Sequence, residues 1–81
     1  MLESKSNERL SKRLIKLGLK VAYYRKARGD MSAQQLADKA GISVNLVWKL
    51  EGSGNAQSIS LKTLYAIADA LEIEPYKLME E

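Results

Sequence analysis

The sequence predicts a single all-α domain of five helices, and three features of the 81-residue chain support this. Apolar residues recur at spacings of three and four through most of its length, as on the buried side of a helix. Serines that can cap helix N-termini precede three of the periodic segments, and glycines follow the first and second helices of the chain. No segment alternates polar and apolar residues like a strand, so helix–helix packing is the available architecture.

The first helix is predicted over residues 8–28, with lysines and arginines on the side away from the core. Gly29 follows it and can adopt the left-handed conformation that often ends a helix. Residues 1–7 have no apolar period and are predicted to be a flexible N-terminus, so the domain itself spans residues 8–81. The apolar stripe of this helix consists of Leu10, Leu14, Leu17, Val21 and Tyr24.

The second and third helices are short and follow each other closely. Ser32 can cap a helix over residues 33–40, and Gln35, three residues later, completes a capping box. Gly41 ends this helix, and Ser43 can cap the next one, over residues 44–51.

A polar loop leads to the last two helices. Ser60 can cap the fourth helix, and Pro75 suits the first position of a short fifth helix, where its missing N–H costs nothing. The fourth helix carries Leu61, Leu64, Ile67, Ala68 and Leu71 on its apolar side. The predicted core residues are Leu36, Ala37, Val47, Leu50, Leu64, Ile67 and Leu71.

The composition disfavours catalysis and metal binding. The chain has no cysteine and no histidine, which removes disulfides, thiolate zinc sites and the commonest general base. Carboxylates are scattered rather than paired, so we expect no enzyme activity and no cofactor. There is no signal-peptide pattern and no apolar run near the roughly 18 residues of a membrane span, so a cytoplasmic protein is expected.

The charge is unevenly distributed along the chain. Nine basic and two acidic residues occur through Arg28, against four basic and eight acidic residues after it. A basic end favours an anionic partner such as nucleic acid, although a solvated amphipathic helix has the same composition. Binding of the first helix to a membrane surface is disfavoured, because the core needs its apolar stripe.

The second and third helices have the spacing of a helix-turn-helix. A short turn brings two helices together at a steep angle, and the small Ala37 lets them approach closely. Gly41 supplies the positive φ of the turn, and Val47 packs back toward Ala37. The segment SAQQLADKAGISVNLVWKLEG resembles the core of the λ-repressor-like Cro/XRE-type DNA-binding domain. LGLKVAYYRKARG resembles that family's first helix, and SISLKTLYAIADALEIEPYKLM resembles its last two.

The resemblance implies a sequence-specific transcription regulator, of repressor or controller type, that binds an inverted repeat in nucleoid DNA as a homodimer. In the family, the outward face of the third helix enters the major groove. At about 100° per residue, Asn45 points away from the core when Val47 and Leu50 point inward. The expected base-reading residues are Val44, Asn45, Trp48 and Lys49.

Phosphate contacts are expected at helix N-termini, where N–H groups and the helix dipole favour anions. In relatives a glutamine often stands first in the second helix, whereas this chain has Ala33 there and Gln34 next. The candidates are Ser32, Ala33, Gln34, Ser43, Asn55, Ser60 and Lys62.

Two further features are implied by the resemblance. Arg25 and Glu51 match positions that form an ion pair in relatives, tying the first helix to the end of the third. The fifth helix commonly pairs in the family, which makes Tyr76, Leu78 and Met79 the expected dimer surface.

Trp48 leaves two hypotheses open, because small soluble proteins seldom expose a tryptophan. Its ring either contacts a thymine methyl or packs on a neighbouring loop, a dimer mate or another protein. The alternative function is an antitoxin-type module of the same fold, in which Trp48 would face a toxin as the protein partner. Leu10 and Leu14, at the start of the apolar stripe, are the alternative surface for that partner.

Overall fold

A computed structural model describes residues 2–52, 54 and 56–80, with side chains from residue 7 onward. The described residues form five α-helices and no strand, which confirms the all-α prediction. In chain order the helices are α1 (Leu2–Ala27), α2 (Ala33–Ala40), α3 (Val44–Glu51), α4 (Leu61–Leu71) and α5 (Tyr76–Met79).

Serine caps begin the three middle helices, as the sequence predicts. The Ser32 hydroxyl accepts a hydrogen bond from the Gln35 N–H at 3.0 Å, and the Gln35 side chain accepts one from the Ser32 N–H at 2.8 Å. Ser43 and Ser60 each accept a hydrogen bond from the N–H three residues later, both at 3.1 Å. These bonds satisfy N–H groups that have no partner within the helix.

Three helix boundaries differ from the prediction. Helix α1 begins at Leu2, six residues before its predicted start, because no proline or glycine interrupts the chain there and helical backbone needs no apolar period. It ends at Ala27, with Gly29 left-handed at φ 73°. Pro75 has helical dihedral angles but precedes α5, which starts one residue later, at Tyr76.

The helices enclose one apolar core that contains every predicted core residue. Helices α2 and α3 pack on each other, α1 covers α3, and α4 packs behind α2. Gly41 is left-handed at φ 71° and joins α2 to α3, which confirms the helix-turn-helix. Among the described residues, the buried hydrophobic side chains are Val21, Met31, Leu36, Ala37, Val47, Leu50, Leu64, Ile67, Ala68, Ala70, Leu71 and Leu78.

The N-terminal half of α1 extends beyond this core. A 26-residue helix is about 39 Å long at about 1.5 Å per residue, whereas the two shorter dimensions of the molecule are 23 and 21 Å. Val21 is fully buried and Leu14 is half-buried, but Leu10 is 55% exposed. Leu10 therefore does not join the core, contrary to the predicted stripe.

Candidate nucleic-acid interface

Helix α3 is held in place by close backbone packing against α1. Gly18 is buried, and a Cβ at this position would overlap the carbonyl oxygen of Leu50. Only glycine lets the two backbones approach this closely. Gly18 was not among the predicted functional or core residues, although an isolated glycine inside a helical pattern is a signal of such a contact.

The opposite side of α3 is open to solvent. Val47 and Leu50 are buried, while Asn45 and Lys49 are exposed and Trp48 is 59% exposed. Val44 is half-buried and packs against the edge of the core. These positions form the outward face of α3, defined as Val44, Asn45, Trp48 and Lys49, and the structure brings all four onto one surface.

An ion pair joins α1 to the C-terminal end of α3. Arg25 donates from Nε to Glu51 Oε2 at 2.8 Å and from Nη2 to Glu51 Oε1 at 2.7 Å, and both side chains are 14% exposed. Arg25 Nη1 also donates to the Met31 carbonyl at 2.6 Å. The hydrogen bond to Glu51 raises the pKa of Arg25, burial lowers it, and the attraction of the Glu51 carboxylate raises it further. The guanidinium therefore stays charged, and the pair holds the C-terminal end of α3 against α1.

The three capping serines have their hydroxyl oxygens in use. Each accepts a backbone N–H inside its own helix, and Ser60 Oγ also donates to Thr63 Oγ1 at 3.0 Å. These side chains therefore orient the first turns of α2, α3 and α4. A phosphate at these ends would meet the backbone N–H groups of the first turn before it met a serine oxygen.

The other phosphate candidates differ in how they are placed. Ala33 is half-buried against the core, and Lys62 is exposed in the first turn of α4. Gln34 is exposed, and its Nε2 donates to Asp38 Oδ1 at 2.9 Å, one helical turn away. Asn55 lies outside the described residues.

The predicted dimer residues on α5 divide into two groups. Tyr76 and Met79 are 56% and 58% exposed, whereas Leu78 is 1% exposed and belongs to the core. The assignment of Leu78 to a dimer surface was wrong, because its side chain is buried in the core and offers almost no exposed area to a partner.

The comparisons with known proteins agree with this geometry. The model of the Cro/C1-type helix-turn-helix DNA-binding domain matches residues 25–80, from the last turn of α1 through α5. The chain belongs to this family. As a Cro/C1-type domain it is a DNA-binding protein of the transcription-regulator class, and α3 is the second helix of its helix-turn-helix.

A solved relative has the same fold. The Cro/C1-type chain is 34% identical to the restriction-modification controller protein C.AhdI from Aeromonas hydrophila, with a TM-score of 0.72. The match covers 80% of this chain and 94% of the controller protein. No curated protein matches the sequence. Within the described residues, no helix is long and apolar enough to cross a membrane.

Proposed function

We propose that the protein is a controller- or repressor-type regulator that binds an inverted-repeat operator as a homodimer. One observation carries this proposal: the outward face of α3 is exposed, while the other side of the same helix is fixed by buried contacts. Gly18 and Leu50 bring the backbones of α1 and α3 together, and Arg25 holds Glu51 at the end of α3. Side chains on a rigidly held helix can be aimed at base edges.

The outward face of α3 has the chemistry for reading bases. An asparagine such as Asn45 can pair bidentately with adenine N6 and N7, and Lys49 can donate to guanine O6 and N7. Val44 and Trp48 offer apolar surface for a thymine methyl. The N–H groups at the starts of α2, α3 and α4, together with Lys62, would hold the flanking phosphates.

The dimer follows from the small size of the reading surface. One eight-residue helix contacts few base pairs, so a second copy is needed to specify a site. The exposed Tyr76 and Met79 on α5 are the proposed centre of the pairing surface. The likeness to a restriction-modification controller protein supports regulation of this kind. Binding to DNA would place the protein with the nucleoid in the cytoplasm.

Selection of bound DNA from a random pool tests this function. We expect enrichment of an inverted repeat with half-site centres about 10 base pairs, or roughly 34 Å, apart. Enrichment of one isolated half-site would contradict the dimer. A pool that stays random would contradict sequence-specific binding.

Lys62→Ala is expected to weaken binding to all sequences alike, because this side chain is proposed to contact phosphate. The slope of log affinity against log salt concentration should fall by about 1. Fluorescence anisotropy on specific and random duplexes over a salt series measures both quantities. Lys39→Ala, in the last turn of α2, is the matched control and should change neither quantity. A loss confined to the specific duplex would show that Lys62 reads a base.

Trp48→Ala decides between a DNA contact and a protein contact for the exposed ring. If the ring meets a thymine methyl, DNA affinity should fall by about 1 kcal/mol or more while the dimer persists. Anisotropy and sedimentation measure the two properties separately. Tyr65→Ala removes an exposed aromatic ring from α4 and should alter neither. Intact DNA binding with failed assembly would instead favour the antitoxin hypothesis, which neither comparison supports.

A further inference from the structure

An apolar groove lies where the middle of α1 passes the start of α4 and the end of α5. Its volume is about 440 Å³, and it is open to solvent. Leu10, also exposed, extends the same stripe of α1 by one turn beyond the groove. The apolar residues that line the groove include Leu14, Leu17, Ile59, Leu61, Leu64 and Met79.

A basic stripe runs along α1 beside this groove. It consists of Arg9, Arg13, Lys16 and Lys20, which recur at spacings of four, three and four and therefore share one helix face. The charged residues of the groove wall are Arg13, Lys16 and Glu80, so the wall is basic on balance. At the far end of the stripe, Lys20 Nζ donates to the backbone carbonyl of Glu80, so the end of α5 lies against α1.

The outer side of α5 complements this surface in two respects. Tyr76 and Met79 are exposed apolar side chains, and the exposed Glu74 and Glu80 flank them. An apolar groove with a basic wall fits an apolar, acidic partner better than it fits a phosphate backbone. Pairing α1 with α1 of another copy would bring two basic stripes together and is disfavoured.

We propose that a second copy of this chain docks here, with α5 of each protomer against residues 9–17 of α1 of the other. Met79 belongs both to the groove and to the outer side of α5, so the two form one continuous surface on each protomer. In a two-fold dimer the same surface of both protomers forms the interface. The inference rests on the proposed homodimer and adds the surface of α1 that α5 of the other protomer contacts. Residues 2–16 precede both the family match and the segment that resembles the family's first helix, so family membership does not account for this part of α1.

The apolar contact is tested by Leu10→Ser, measured by sedimentation velocity of the full chain without DNA. The dissociation constant of the dimer should rise about tenfold, as expected when an apolar contact is lost. Leu19→Ser is a matched control: Leu19 is 56% exposed on the same helix and lies about 180° from Leu10 at about 100° per residue. It should leave the dimer within about twofold of the parent protein.

The charge contact is tested by a swap. Arg9→Glu with Lys16→Glu should weaken the dimer, and so should Glu74→Lys with Glu80→Lys. All four changes together should restore the dimer, because the two reversed charges on α1 of each protomer then face the two reversed charges beside α5 of the other. Dimerisation of the parent protein should also weaken as salt is added.

The outcomes separate this inference from the proposed function. A parent protein that sediments as a monomer would overturn both the homodimer and the docking. A dimer that is unaffected by Leu10→Ser and by the charge reversals would overturn only the docking surface on α1. Charge reversals that lower DNA affinity and leave the dimer intact would also overturn it, and would assign the basic stripe to DNA.

Discussion

Arg25→Ala is expected to lower the free energy of unfolding by about 3 kcal/mol, the low end for breaking a buried ion pair. The change removes three hydrogen bonds, two to Glu51 and one to the Met31 carbonyl. It also leaves the Glu51 carboxylate without its partner at a position where the side chain is 14% exposed. Urea denaturation measures the loss. DNA affinity should fall as well, because Glu51 is the last residue of α3.

Arg28→Ala is the matched control, three residues further along the chain. Arg28 pairs with Glu72, but these side chains are 40% and 63% exposed, and such surface pairs contribute only about 0–1 kcal/mol. In a double-mutant cycle, Arg25→Ala and Glu51→Ala together should cost less than the sum of the single changes. If Arg25→Ala and Arg28→Ala unfold at the same urea concentration, the pair does not stabilise the fold.

Gly18→Val is expected to destabilise the protein by about 3 kcal/mol, at the upper end for overpacked cores. The added Cβ would overlap the carbonyl oxygen of Leu50, which belongs to the backbone and can yield only if α3 moves away from α1. Valine and glycine both disfavour helices, so the difference reports mainly the contact and not helix propensity. Calorimetry measures the stability, and anisotropy should show weaker DNA binding because α3 is displaced.

Leu19→Val is the control for the valine side chain in α1. Leu19 is exposed next to Gly18, so the change should stay within about 0.5 kcal/mol of the parent protein. If Gly18→Val is as stable as Leu19→Val, the close approach of α1 and α3 does not occur in solution.

The helix-turn-helix was predictable from sequence because its signals are local. A serine cap acts on an N–H group three residues away, and a left-handed glycine acts at a single position. Ser32 and Gly41 therefore indicate the start and the end of α2 without any contact to a distant segment. The structure confirms the bounds of α2 and α3 for this reason. The left-handed Asp30 and Glu72, both at φ 57°, were not predicted, because these residue types do not require that conformation.

Contacts between distant segments were harder to predict. The role of Gly18 depends on the carbonyl of Leu50, 32 residues later, which no local pattern contains. Leu78 shares a short apolar helix with Met79, and only the packing of α5 shows that one is buried and the other exposed. The outward face of α3 could be predicted from the sequence, because two inward residues on one helix determine the direction of its other side chains.

The most direct test of the proposed recognition surface compares stability with DNA binding in Asn45→Ala and Lys49→Ala. Both side chains are exposed, so each variant should unfold within about 0.5 kcal/mol of the parent protein. Each should nevertheless bind the selected operator about 1–3 kcal/mol more weakly and lose preference at a different base pair. If both variants keep full affinity and unchanged selectivity, the outward face of α3 does not read the operator.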